Sequence, residues 1–226
     1  MPRSMIIAAA LLSAAISVPA LASQDSQLWA TTVLNVKVND KWRLQQEVVA
    51  RFSDNRNGLY EVESNTLLGY RLNKSVTVWG GYTHDPQYSA GDFTVMEHRV
   101  REQVTFDNVA RLGAGKFSFR LRGEERWRSN VAGTGWRLRP YVKYSLPIAK
   151  GSKTALVFSS ETFLNLNTTP FQRQSGLDRM RNLIAVSTPL SKKLTAEVGY
   201  LNQHGFVRGG PDSSDHVLSV SMGLSL

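Results

Sequence analysis

Proton-transfer or metal chemistry in this chain would rest on four histidines, His84, His98, His204 and His216, and on carboxylates, because its 226 residues include no cysteine. That absence removes disulfides, thiolate metal sites and thiol nucleophiles together. The histidines lie far apart in sequence, each near a predicted strand end or loop, so a shared metal or base site would require them to converge on one rim. Scattered interfacial histidines are the simpler reading. His98 and Glu102 fall on one strand face, a base and a carboxylate with no evident nucleophile. A lipid hydrolase of the outer membrane pairs a serine nucleophile with a histidine base on the barrel wall, and no His-x-Ser pair lies on one face of one strand here. Gly113-Ala114-Gly115-Lys116 lacks the P-loop spacing and a following helix, and reads as a turn. No catalytic residue, metal site or cofactor is assigned.

The abundant chemistry is that of arginine, and the elements that position it have a period of two. From Ser118 onward one face carries Arg120, Arg122, Glu124, Arg126 and Arg128, and the other Phe117, Phe119, Leu121, Gly123 and Trp127. After a short break the pattern resumes with Arg137, Arg139, Tyr141 and Lys143 against Trp136, Leu138, Pro140, Val142 and Tyr144. Only strands sort side chains this way. A dry core could not hold so many unpaired guanidinium groups, whereas a closed barrel in lipid turns its apolar residues to the acyl chains and its charges to the lumen. The fold class is therefore all-β, a transmembrane antiparallel β-barrel. Alternating segments recur along the chain, and the last ends in an apolar column, Leu218, Val220, Met222, Leu224 and Leu226. Long connections (54–61, 86–94, 167–176 and 205–215) alternate with tight turns. Eleven segments can be counted, and bacterial single-chain barrels favour even numbers. The reading is ten to twelve strands, with twelve preferred and a missed strand sought in the 107–116 connection. The alternatives are a first segment that does not complete the wall and an odd barrel whose first and last strands pair in parallel.

The faces assign a lumen-lining set: Arg43, Glu47, Arg51, Arg71, Glu97, Arg99, Arg101, Arg120, Arg122, Glu124, Arg126, Arg128, Arg137, Arg139, Glu161 and Glu197. With Lys143, Arg179 and Arg181 there are about 14 inward bases, against about 7 acids once Glu63 and Asp85 are added. A lumen with that surplus keeps water or anions.

Residues 1–22 have the form of an export signal: Arg3, an apolar run from Ile6 to Ile16, and a small-x-small site at Ala20-Leu21-Ala22. The mature chain, 23–226, then forms one barrel domain of the cell outer membrane. The formal charge of +9 does not indicate nucleic acid in an exported chain whose arginines alternate along strands. Outer-membrane lipids, lipopolysaccharide and small anionic solutes are the expected partners, and the oligomeric state is left open.

Several signatures stand in order: Leu28-Trp29, Asn39-Asp40-Lys41-Trp42-Arg43-Leu44, Leu68-Gly69-Tyr70-Arg71-Leu72-Asn73, Glu97-His98-Arg99, Phe119-Arg120-Leu121-Arg122 with Glu125-Arg126, Trp136-Arg137-Leu138-Arg139, Asn165-Leu166-Asn167 and Gly199-Tyr200-Leu201-Asn202-Gln203. Together they resemble the bacterial domain-of-unknown-function family DUF 2490 over nearly the whole mature chain. The resemblance implies an outer-membrane β-barrel with no established activity. Glu102 departs from it, standing where the family pattern carries an amide. A small pore or structural barrel with an anion-favouring lumen is the functional expectation. A lipid-modifying enzyme of the same membrane, acting on lipid A or phospholipid, is the alternative.

Overall fold

Alternation of apolar and polar residues over 11 to 21 positions, punctuated by Asn, Gly and Ser, produces a meander of long strands. The computed structural model describes residues 23–226, so the export segment lies outside the described residues. In chain order the strands are β1 (Ser23–Lys37), β2 (Trp42–Ser53), β3 (Gly58–Arg71), β4 (Val76–Ser89), β5 (Asp92–Leu112), β6 (Gly115–Arg128), β7 (Val131–Pro147), β8 (Ala155–Asn165), β9 (Gly176–Pro189), β10 (Leu194–Gly205) and β11 (Ser213–Ser225). Each pairs antiparallel with the next. β1 and β11 then close the wall in parallel, from Ser23 opposite Ser213 to Asn35 opposite Ser225. Among the described residues there is no helix.

The preferred count of twelve is thus corrected to eleven. The residues suspected of hiding a twelfth strand instead lengthen one hairpin: β5 and β6 run on to a turn at Gly113 and Ala114, across a register shift between Phe106 and Ala110 where Asn108 takes a positive φ of 53°. Such a bulge breaks the period of two and looks, in sequence, like a loop. The same happens at 86–94. There β4 and β5 continue to a two-residue turn, Ala90 and Gly91, whose φ values of 51° and 91° suit the twist of a hairpin. Of the four long connections expected, only those at 166–175 and 206–212 remain, both on the rim where β1 begins, here the N-terminal rim; the connection 148–154 on the opposite rim is as long as the second.

On the opposite, C-terminal rim, three turns share one device. The side-chain oxygens of Asn39 and Asn73 each accept two backbone amides at 2.9 Å, and Ser191 accepts two at 3.2 and 3.0 Å. Such local acceptors stabilise the turn in place of ladder bonds. Inside the barrel the wall of β9, β10, β11 and β1 contributes an apolar cluster of Trp29, Leu201 and Val217 with Leu183, while β2 to β8 contribute most of the buried charges. On the outside, Leu44, Leu68, Val78, Leu121, Ile184, Val186, Val198 and Leu218 are exposed.

The parallel seam is open to a direct test in a chain free of cysteine. Cysteine pairs at Gln27 with Val217 and at Asn35 with Ser225 are expected to cross-link under mild oxidation, since both are register partners. Cross-linking of position 27 to position 225 instead would mean an antiparallel closure.

Candidate functional site

Strand parity sends the side chains of Arg51 on β2, Glu61 and Glu63 on β3, Asp85 on β4, Glu97, Arg99 and Arg101 on β5, and the Arg120 to Arg128 series on β6 to the interior, where they meet Arg137 and Arg139 on β7 and Glu161 on β8. They form one network. Glu97 accepts from Arg99 at 2.7 Å, Arg126 at 2.8 and 2.9 Å, and Arg128 at 2.6 Å. Glu63 accepts from Arg51 at 3.1 Å, Arg99 at 3.0 Å and Arg101 at 2.5 Å. Glu124 takes Arg137 at 2.5 and 2.8 Å and Arg139 at 2.7 Å, with Arg101 at 3.3 Å and Arg122 at 3.8 Å. Arg139 also forks onto both oxygens of Glu161, at 3.1 and 2.8 Å, and Arg120 reaches the same carboxylate.

Three arginines are the links. Arg99 joins Glu97 and Asp85 to Glu63, Arg101 joins Glu63 to Glu124, and Arg139 joins Glu124 to Glu161. Arg101 is fully buried. Nine arginines thus share six carboxylates, Glu61 included through Arg51. Carboxylate oxygens of Glu61, Glu63 and Asp85 lie within 4.8 Å of one another, close enough to suggest a metal. Guanidinium groups already occupy that role: Arg51 binds Glu61 and Glu63, and Arg99 binds Glu63 and Asp85.

Other residues of the expected lumen set stand outside this network. Arg43 folds onto its own turn, donating to the Asn39 and Trp42 carbonyls, and Arg71 does the same to Asn73 at 3.0 Å and Lys74 at 3.3 Å. Both cap the C-terminal rim instead of entering the network, because an inward side chain at a strand's end lies closer to the turn carbonyls than to any carboxylate. Glu47 accepts from Asn65 at 2.7 Å, and Glu197 stands between Ser187 and Ser221 with no ion pair among the described residues. Glu61 was not in the set, since a bulge between Arg51 and Phe52 disguises the start of β3 as loop.

Three cavities follow one another along the axis and share lining residues. The vestibule at the N-terminal rim is about 380 Å³, the middle cavity about 200 Å³ and the cavity at the C-terminal rim about 570 Å³. Arg51, Glu63, Arg139 and Arg181 line both of the first two. Aromatic rings organise the vestibule. Phe163, itself buried, lies under Arg137, Arg139, Arg179 and Arg181 at 4.3 to 5.6 Å from ring centroid to guanidinium carbon. Trp29 carries Arg51 at 4.5 Å and Arg181 at 4.4 Å. The 166–175 loop tucks Phe171 beneath Arg126 and Arg128, and Gln172, also buried, accepts from Arg126 at 3.1 Å. Gln174 ties this loop to 206–212, donating to Phe206 and accepting from the Arg208 amide. In the second loop the Val207 amide and the His204 imidazole hold the Asp212 carboxyl below its usual range.

The histidines do not converge. His84 and His98 are neighbours on β4 and β5, with ring centroids 5.7 Å apart, whereas His204 and His216 belong to β10 and β11. All four face outward. His98 bonds the Tyr82 hydroxyl and stacks on Trp127, and His216 bonds Tyr200 at 2.6 Å in the same diagonal arrangement. Glu102 is exposed on the outer wall, flanked across the sheet by Gly80 and Gly123. One relation hidden from a strand-by-strand reading is that Ser64 on β3 lies directly opposite His84 on β4, and accepts from Gln46 at 3.0 Å.

The geometry defines a class: a closed antiparallel-meander barrel with a parallel seam, an apolar outer wall and an ion-paired, arginine-rich interior. Residues 26–214 match the family described as Protein of unknown function (DUF2490), and the chain belongs to that family. An uncharacterized protein of Methylorubrum extorquens is 29% identical over 201 residues, which span 88% of this chain and 87% of that one. No solved structure matches.

Removing one partner from such a buried network leaves the others uncompensated, at a cost of about 3–5 kcal/mol. Glu124→Ala, which strands Arg137 and takes one of their two carboxylates from Arg101 and Arg139, is expected to unfold at clearly lower denaturant concentration than the wild type. Glu197→Ala, with no such partner, should stay within about 0.5 kcal/mol. Urea titration followed by the mobility of the unheated protein in gels reads both, and equal loss in the two would count against the network.

Proposed function

We propose that this chain is an outer-membrane β-barrel protein whose wet, cation-rich lumen admits small anions. What carries the reading is the pairing of an apolar outer wall with an interior network in which nine arginines share six carboxylates, with Arg181 beside it lacking a carboxylate within 4 Å among the described residues. Aromatic side chains collect at two levels of the outer wall. Toward the N-terminal rim are Tyr82, Trp127, Tyr200 and the histidines beside them, and toward the C-terminal rim are the pair Trp42 and Tyr70 and the group Phe117, Tyr144 and Phe158. At a rise of about 3.3 Å per residue and a tilt of about 40°, the step from His216 to Leu224 spans roughly 20 Å, near the height of a lipid-facing band. The export signal read from residues 1–22 supports the same location.

Fractionation should place the folded chain with the outer membrane, with a shift in gel mobility on heating. Leu121→Arg, on the lipid-facing side, should cost about 2–4 kcal/mol if near the midplane. In planar bilayers under a salt gradient, the reversal potential should move toward that of chloride. Cation preference would contradict the charge argument, and absence of any current would mean a barrel closed by its own ion pairs.

A second reading, a lipid-modifying enzyme, is favoured by one observation, the outward Ser64 facing His84 across β3 and β4. Directly opposed residues sit about 5 Å apart at Cβ, so a rotamer change could bring hydroxyl and imidazole together. Fatty-acid release from phospholipid or lipopolysaccharide by the wild type, lost in Ser64→Ala, would establish it; no release by the wild type would remove it.

A further inference from the structure

The arginines of the vestibule are not equally satisfied. Arg137 and Arg139 have Glu124, and Arg126 and Arg128 have Glu97. Arg181 has no carboxylate within 4 Å among the described residues. Its one hydrogen bond there is from Nε to the Gln203 side chain, at 2.7 Å, and Gln203 is in turn fixed by donating to Asp215 at 2.6 Å. Its guanidinium lies between two rings, Trp29 at 4.4 Å and Phe163 at 4.7 Å. Two strand positions away, Arg179 shares the Phe163 ring at 5.6 Å, and its carboxylate contact is the adjacent Asp178.

Stacking fixes the plane of a guanidinium but does not consume its donors, which lie in that plane. With Nε taken by Gln203, the two terminal amino groups of Arg181 remain in the fork that matches an oxyanion edge. This residue lines both the vestibule and the middle cavity, so the fork stands where the two meet. Nine arginines line the vestibule. Arg99, Arg126, Arg128, Arg137 and Arg139 are paired from behind by Asp85, Glu97, Glu124 and Glu161, and Arg51 by Glu61 and Glu63, whereas Arg181 and Arg56 have no carboxylate within 4 Å among the described residues. Guanidinium groups left unpaired in this way are met better by one multivalent anion than by several monovalent ones, each of which would lose its own translational freedom. The volume, about 380 Å³, has room for a phosphate-sized group with an organic substituent.

We propose that the vestibule is a binding site for a compact phosphate-type oxyanion, anchored in bidentate fashion by Arg181 with Arg179 and Arg137 around the Phe163 ring. The proposal deepens the anion-admitting reading above and rests on the wet lumen it assumes. Its ligand is soluble, because the site is inside the wall and lipid headgroups lie outside it.

Calorimetric titration of the purified, detergent-solubilised barrel with inorganic pyrophosphate at low salt tests it. Saturable one-site binding is expected, weakened at least tenfold in Arg181→Gln and also in Arg181→Lys, which keeps the charge and loses the fork. Arg120→Gln, which lines the other two cavities and not the vestibule, should change it less than twofold. Heat-dependent gel mobility confirms that each variant is folded; if neither Arg181 variant folds, Arg179→Gln takes their place, with a loss of at least threefold expected. No saturable binding by the wild type, equal weakening at positions 181 and 120, or full binding by Arg181→Lys overturns the site. Because no current is measured, binding without conductance would sink the pore and leave the site, and anion conductance without binding would do the reverse.

Discussion

Everything inside this barrel depends on keeping buried guanidinium groups hydrogen-bonded. A lumen enclosed by eleven strands is narrow enough that inward side chains from strands two apart touch, as Arg101 on β5 and Glu63 on β3 do at 2.5 Å. Unpaired, each charge would carry a desolvation penalty of several kcal/mol. Shared carboxylates relieve it: Glu63, Glu97 and Glu124 each receive three or more arginines, which demands that β2 through β8 keep their registers. The network is therefore better understood as fixing which residues face each other than as a large source of net stability. Where carboxylates run out, at Arg181, aromatic rings take over, and Trp29 and Phe163 hold its guanidinium by their faces.

Much of this was legible from residue order alone, because a period of two is short-range information. The faces of β6 and β7 follow from reading alternate residues between Phe117 and Tyr144. What could not be read is how neighbouring strands meet. Glu61 was hidden by a bulge, the 107–116 stretch passed for a possible twelfth strand because another bulge broke its rhythm, and Ser64 and His84 come together only through the β3–β4 register. Arg43 and Arg71 have lumen parity yet bond to turn carbonyls, a competition that no face assignment resolves. Phe163 and Trp29 were the least visible: as aromatic residues they suit a lipid face, and only strand parity, pursued against that expectation, puts them inside.

The two sides of the wall place opposite demands on a side chain, and Glu102 sits on the less forgiving one. Its neighbours across the sheet, Gly80 and Gly123, leave the carboxylate open to the outside. A charged group there is unfavourable in lipid by an amount that falls toward the interface, and Glu125 and the His98 cluster stand on the same outer face, nearer the N-terminal rim. Two carboxylates, Glu102 and Glu125, thus stand on the outer wall of β5 and β6.

The parallel seam has a consequence for how the ring closes. Every other neighbouring pair of strands is a hairpin, joined locally and paired with little loop entropy to overcome. β1 and β11 are separated by the whole meander, so their ladder has by far the greatest contact order in the chain and is suited to form last. Because the two strands run in the same direction, the chain's first strand starts on the rim opposite the one where its last strand ends. In the outer-membrane setting proposed above, a polypeptide laid into the bilayer from one side would therefore carry one end of the barrel wall through to the other before the cylinder is sealed.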